Sequence, residues 1–222
     1  MTDPLEQVAF DIETTGFDVD DEVTVVGFAV PMGVRVFVQT DGRAATGVEG
    51  AVEEATETLV NVSTHPSEHE LLTAVVGFVE ERLSGEDVLL VAYNGERWNG
   101  GFDLPFLRTR YAQLDVAWPF VEVPYADVLP LVTDRFNTTV DDDEHNGLVT
   151  AYDVLCDGAY SNVDPFTDSA EAVTAFDDGR FAELVLHNVA DVLRTRALGQ
   201  VTERYCSKSE FKVKSLTPTR SI

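Results

Sequence analysis

Apolar positions follow the period of a strand near the start of the chain and the period of a helix near its end. An apolar run from Val8 leads into Asp11-Ile12-Glu13. Val23–Val30 (VTVVGFAV) and Val34–Val38 (VRVFV) are rich in β-branched residues and separated by Pro31-Met32-Gly33. These three stretches predict an antiparallel meander. Residues 41–50 read as a loop, 52–59 as a short helix and 60–63 as an extended piece. Ser67-Glu68-His69-Glu70 has capping-box spacing and opens a helix over 71–83. Val88–Ala92 (VLLVA) has the unbroken apolar pattern of a strand buried on both faces, and Tyr93-Asn94-Gly95 ends it. Residues 104–114 predict a helix, with Pro105 tolerated in its first turn. Residues 121–128 read as extended, and 129–136, 169–176 and 180–205 as helices. Strands first, then strand and helix in alternation, then helices, predict an α/β layered fold. Its mixed central sheet would hold the meander followed by parallel strands, with helices on both faces. The domain is expected over 1–206, with 207–222 a mildly basic, frayed C-terminal tail.

Charge changes the picture. Forty acidic residues stand against 15 basic ones, a formal net charge of -25 in 222 residues. Only Lys208, Lys212 and Lys214 are lysines, all in the tail. Acid-rich, lysine-poor surfaces of this kind resemble those of halophilic archaea. At about 1 M salt the Debye length is roughly 3 Å, so such a surface does not repel itself, or a polyanion, as it would in dilute buffer. The charge therefore does not exclude a nucleic-acid partner. Cys156 and Cys206 lie far apart, without Cys-x-x-Cys, and read as reduced thiols. The N-terminal residues are polar and acidic, and no apolar run approaches the roughly 20 residues of a membrane span. A cytoplasmic protein with no membrane partner is expected. The acidic runs at 18–22 and 141–144 lack the spaced ligands of a calcium loop and read as solvated turns.

Three places offer carboxylates that could meet. Alternate residues of a strand share a face, so Asp11 and Glu13 project side by side. Two close carboxylates repel, and burying them unpaired costs several kcal/mol each, about what a divalent cation would relieve. Hard oxygen ligands suit Mg²⁺ or Mn²⁺; a strand end entering an acidic turn is the other reading. Asp103 follows the buried strand and opens a helix. His187 and Asp191 lie one turn apart in a largely apolar helix, on one face. There they need a metal, or pairing with an Arg or a neighbouring loop.

Asp11-Ile12-Glu13-Thr14-Thr15-Gly16, then Asn94 and Phe102-Asp103, then His187 and Asp191, resemble in order and spacing the DEDD (DnaQ-like) 3′→5′ exonucleases of the ribonuclease-H-like fold. Phe102-Asp103-Leu104-Pro105-Phe106-Leu107 is also similar to the exonuclease domains of family B DNA polymerases and related stand-alone nucleases. The resemblance covers roughly residues 5–200. It implies a ribonuclease-H-like sheet, and hydrolysis of single-stranded DNA or RNA from the 3′ end with release of nucleoside 5′-monophosphates. It implies two divalent cations, Mg²⁺ or Mn²⁺, on Asp11, Glu13, Asp103 and Asp191, with His187 as general base. Thr14, Thr15 and Gly16 would contact the terminal nucleotide through backbone N–H groups. Phe17 would stack or wedge at its base, and Asn94, Trp98 and Phe102 complete the expected substrate contacts. A polymerase or repair factor would come in trans. Two departures stand out. Residues 96–101 lengthen the gap between Asn94 and Asp103. His187 occupies the position, one residue closer to the last Asp than the family's histidine, that other members fill with tyrosine. These departures leave a non-catalytic nucleic-acid-binding module as the alternative. Asp127 reads as a residue that orders the sheet edge.

Overall fold

The run from Glu6 to Thr14 forms β1, which lies inside a seven-stranded sheet. A computed structural model describes residues 5–85, 87–96, 101–168 and 170–220. In chain order the elements are β1 (Glu6–Thr14), β2 (Val23–Val30), β3 (Gly33–Gln39), α1 (Val48–Thr56), β4 (Val60–His65), α2 (Glu68–Arg82) and β5 (Val88–Ala92). Then come α3 (Asp103–Gln113), β6 (Pro124–Asp127), α4 (Leu129–Arg135), β7 (Thr139–Val140), β8 (Asp143–Glu144), α5 (Leu148–Leu155), α6 (Ala170–Asp177), α7 (Phe181–Tyr205) and β9 (Lys214–Ser215). The sheet order is β4-β3-β2-β1-β5-β6-β9. The meander β1–β2–β3 is antiparallel, and β1–β5, β5–β6 and β3–β4 are parallel. This mixed α/β sheet with helices on both faces is compatible with a ribonuclease-H-like fold. Among the described residues no helix is long and apolar enough to cross a membrane.

The alternation of β1 divides the core. Ala9 joins one apolar layer with Val25, Val36 and Val91, covered by α1, α5, α6 and α7. Val8, Phe10 and Ile12 join the opposite layer with Phe28, Phe37 and Leu90, covered by α2 and α3. Asp11 and Glu13 share the parity of Ala9, so they face α7.

Several boundaries differ from expectation. α1 starts at Val48, because Gly47 adopts a left-handed conformation (φ 72°) and Val48 and Val52 then face the core together. α5 was not anticipated, although Leu148, Ala151, Tyr152 and Leu155 have helical spacing. The acidic run at 141–144 forms the turn and return strand of an exposed hairpin, with Asp141 and Asp142 at φ 50° and 70°. Residues after 206 are not frayed throughout. β9 pairs with β6, Leu216 is buried, and Trp118 Nε1 donates to its carbonyl at 3.0 Å.

A buried ion pair ties the loop after β1 to the helices. Glu68 binds Arg110 through both oxygens, at 2.8 and 2.6 Å, and accepts the Val23 N–H at 2.9 Å. Arg110 also donates to the Val19 carbonyl at 3.1 Å. Replacing Arg110 with Ala strands a buried carboxylate, and the expected cost is about 3–5 kcal/mol. Denaturant unfolding in molar KCl measures it; a loss below about 1 kcal/mol, the scale of exposed pairs, would refute the buried-pair description.

Candidate functional site

Asp11 opposes Gly27 of β2, and the register shifts between Glu13 and Thr14, where β1 leaves the sheet. α7 crosses this strand end and delivers Asn188, which is fully buried. Its Nδ2 donates to Asp11 Oδ2 at 3.0 Å and faces Glu13 Oε1 at 3.5 Å. Gly27 makes room for it, since a Cβ there would overlap Asn188 Oδ1. That oxygen is buried and has no hydrogen-bond partner among the described residues.

Asp103 stands in the first turn of α3, where a negative charge is favoured by the helix dipole. The lengthened segment before it is pinched at its base. A Cβ at Gly101 would overlap the carbonyl oxygens of Glu96 and Asn94, so the backbone of 101 touches that of 94 and 96. Leu104 N–H donates to the Gly95 carbonyl at 3.0 Å. Asp127 holds the near side by accepting N–H groups from Asn94 (2.9 Å), Glu96 (3.3 Å) and Leu129 (3.1 Å). It orders the end of the sheet, as read from the sequence. Lys214 of β9 ion-pairs with Glu96 from the other side.

His187 and Asp191 show the pairing alternative in full. His187 Nδ1 donates to Asp164 Oδ1 at 2.8 Å. Arg194, fully buried, donates from one nitrogen to Asp191 Oδ1 at 2.8 Å and to Asp164 Oδ2 at 2.9 Å. It also donates to the Tyr160 carbonyl. Even so, His187 Nε2 lies 3.9 Å from Glu13 Oε1. Asp191 Oδ2 makes no hydrogen bond among the described residues. Asp164, His187 and Asp191 present donor atoms within 4.8 Å of one another and are a possible metal-binding group. Arg194 already supplies the positive charge between its two carboxylates.

The four expected acids are all raised by their surroundings, and Asp11 feels the charges of the other three. Burial, and then the charges of Asp103, Glu13 and Asp191, push the Asp11 carboxyl well above its ordinary range. Burial, with Glu13, Asp127 and Asp191, does the same to Asp103. Burial raises Glu13 to about 7, with the nearby His187 and the Asn188 amide pulling it down. Asp191 is raised by burial, with His187 and Arg194 offsetting it. Burial alone would lower His187, but its Asp164 hydrogen bond and the charges of Glu13, Asp191 and Asp164 outweigh that and raise it to about 9. No Lys or Arg contacts Asp11, Glu13 or Asp103 among the described residues. A set of buried oxygen donors with no Lys or Arg among them fits hard divalent ions.

The expected substrate residues border this cluster. Phe17 is 82% exposed and packs edge-on against Phe102 at 5.1 Å, and Phe102 in turn against Phe106 at 4.8 Å. The Thr15 N–H is taken by the Glu22 carbonyl at 2.9 Å, which corrects its expected role as a free donor. The Thr14 hydroxyl donates to the Gly16 carbonyl at 2.7 Å. Gly16 and Phe17 N–H groups make no hydrogen bond among the described residues. Asn94 is in a left-handed conformation (φ 63°), with its Oδ1 buried and without a hydrogen-bond partner among the described residues. Trp98 lies outside the described residues. Sequence reasoning missed Asn188 and Asp164, and anticipated an arginine partner without identifying Arg194. A glycine inside the β2 pattern was a signal of close approach, and Arg194 lies three residues from Asp191.

Two outcomes follow. Glu13 and His187 both hold protons more tightly folded than unfolded. Their stabilising contributions are therefore full below about 4.5 and 6.5 and are lost as pH rises toward about 7 and 9. Melting temperature in EDTA and molar KCl should fall between pH 5 and 9, less steeply in Glu13→Gln; identical slopes would contradict the assignment. Gly101→Ala should cost about 1–3 kcal/mol through backbone overlap, read by denaturant unfolding, and an unchanged stability would mean an open base to the loop.

No protein-family model and no curated protein matches the chain, so what the site does is read from its own residues.

Proposed function

We propose that this chain is a divalent-cation-dependent 3′→5′ exonuclease of the DEDD type, acting on single-stranded or frayed ends of DNA or RNA. One observation carries the reading: Asp103, Glu13 and Asp191, from three distant stretches, all lie close enough to the buried Asp11, bonded to Asn188 at the end of β1, for their charges to add to burial in raising its carboxyl. Such crowding is costly to fold around and has an evident use in holding cations. Two Mg²⁺ or Mn²⁺ ions on these four carboxylates would supply an activated water and neutralise charge on the leaving oxygen.

The chain's own residues do the rest. Asn188 holds Asp11 and Glu13 in a fixed relative orientation. His187 turns Nε2 toward Glu13 and would accept the proton of the attacking water there. Against the lowering by burial, the Asp164 hydrogen bond and then the charges of Glu13 and Asp191 raise its pKa; cancelling the latter two would lower it and favour a free Nε2. The exposed Phe17, backed by Phe102, offers a stacking surface for the terminal base. The N–H groups of Gly16 and Phe17 offer donors to its phosphate or sugar.

The test is hydrolysis of 5′-labelled single-stranded DNA and RNA in molar KCl with Mg²⁺, Mn²⁺ or EDTA. A ladder shortening from the 3′ end is expected, lost with EDTA and in a folded Asp11→Ala variant. His187→Ala should slow it by about 10²–10⁴-fold. Binding without turnover would overturn the reading in favour of a nucleic-acid-binding module, and full activity in Asp11→Ala would remove the carboxylate cluster from the chemistry.

A further inference from the structure

Asp164 comes from the segment between α5 and α6, and both of its carboxylate oxygens are tied. Oδ1 accepts from His187 Nδ1 at 2.8 Å and from the Phe166 N–H at 3.0 Å. Oδ2 accepts from Arg194 at 2.9 Å. The Phe166 ring packs 5.3 Å from the imidazole, so the histidine is held by a carboxylate at one nitrogen and an aromatic face beside it. An ionised carboxylate only accepts hydrogen bonds, so Nδ1 carries a hydrogen and Nε2 is the nitrogen left facing Glu13.

We propose that Asp164 is a positioning residue for the reaction proposed above: it locks His187 in one ring orientation, Nδ1–H outward to itself and Nε2 inward to the carboxylate cluster. The inference rests on the exonuclease reading. It gives the unusual register of His187 a physical basis, because a short imidazole at this helical position is aimed by a partner from another segment. Arg194 holds Asp164 in place while also bonding Asp191, so one guanidinium aligns both sides of the site. The tie of Arg194 to the Tyr160 carbonyl does not involve Asp164 and anchors the segment without it.

The experiment compares wild type, Asp164→Asn, Asp164→Glu, His187→Gln and the Asp164→Asn/His187→Gln double variant. An Asn at 164 can turn its amide N–H toward Nδ1 and favour the wrong tautomer. Asp164→Asn should lower kcat about 10- to 100-fold with KM unmoved. Asp164→Glu should recover part of the loss. In the His187→Gln background the Asn substitution should cost nothing further, because there is no imidazole left to orient. Nitrogen-15 spectra of histidine-labelled protein, without metal or substrate and at a pH above about 9 where the ring is neutral, should show the His187 Nδ1–H tautomer in wild type and its loss in Asp164→Asn. An active wild type with unchanged Asp164→Asn kinetics, or equal losses in both backgrounds, overturns the positioning role alone. An inactive wild type overturns the exonuclease reading and the role with it, while the spectra still report whether the Asp164–His187 bond exists.

Discussion

Like charges confined at one strand end set the terms for this molecule. Burial raises all four carboxylates of β1, α3 and α7, and the charges of the other three make Asp11 harder still to ionise. Left to itself such a cluster would push its strands apart or take up protons. The fold answers with donors rather than with charges at the innermost positions: an amide from Asn188 reaches Asp11 and Glu13, and a helix start meets Asp103. Full positive charge is kept one layer back, on Arg194 and His187. The centre therefore stays under electrostatic tension, which a bound cation could discharge.

Rigidity around the cluster comes from polar ties to loops. Glu68 and Arg110 pin the turn that carries Phe17; Asp127 gathers the backbone of Asn94 and Glu96; Arg194 fastens the Tyr160–Asp164 segment onto α7. Each is a carboxylate or guanidinium satisfied several times over, the arrangement in which buried ionic groups hold geometry well. The apolar layers on either side of the sheet set the fold, and these ties set where the loops at its end stand.

The sheet, most of the helices and the four acids were legible because their signals are local: β-branched runs, a capping box, and Asp and Glu one residue apart on a strand. Asp103 was legible as a helix-opening acid, although its lengthened approach left its placement open until Gly101 proved to close the neck. Asp164 was not legible, since nothing nearby distinguishes it from the chain's many other acids and its partners lie far along the sequence on α7. Arg194 was foreseen only as an unnamed partner for Asp191. α5 was missed because a two-turn helix between loops offers too few periods to stand out. The tail strand β9 spans two residues and becomes a strand only beside β6, so pairing, not composition, creates it.

Gly27 shows how the site and the sheet compete for the same position. A glycine in a central strand weakens it by roughly 0.5–1 kcal/mol relative to alanine. Here the missing side chain is a keyhole, and the Asn188 amide is the key that enters it from the helix above. An engineer seeking a more heat-resistant variant would choose such a glycine first for replacement by valine. The gain in strand propensity would come with the amide expelled from between the two carboxylates, so the most obvious place to strengthen the scaffold is where strengthening would unmake the site.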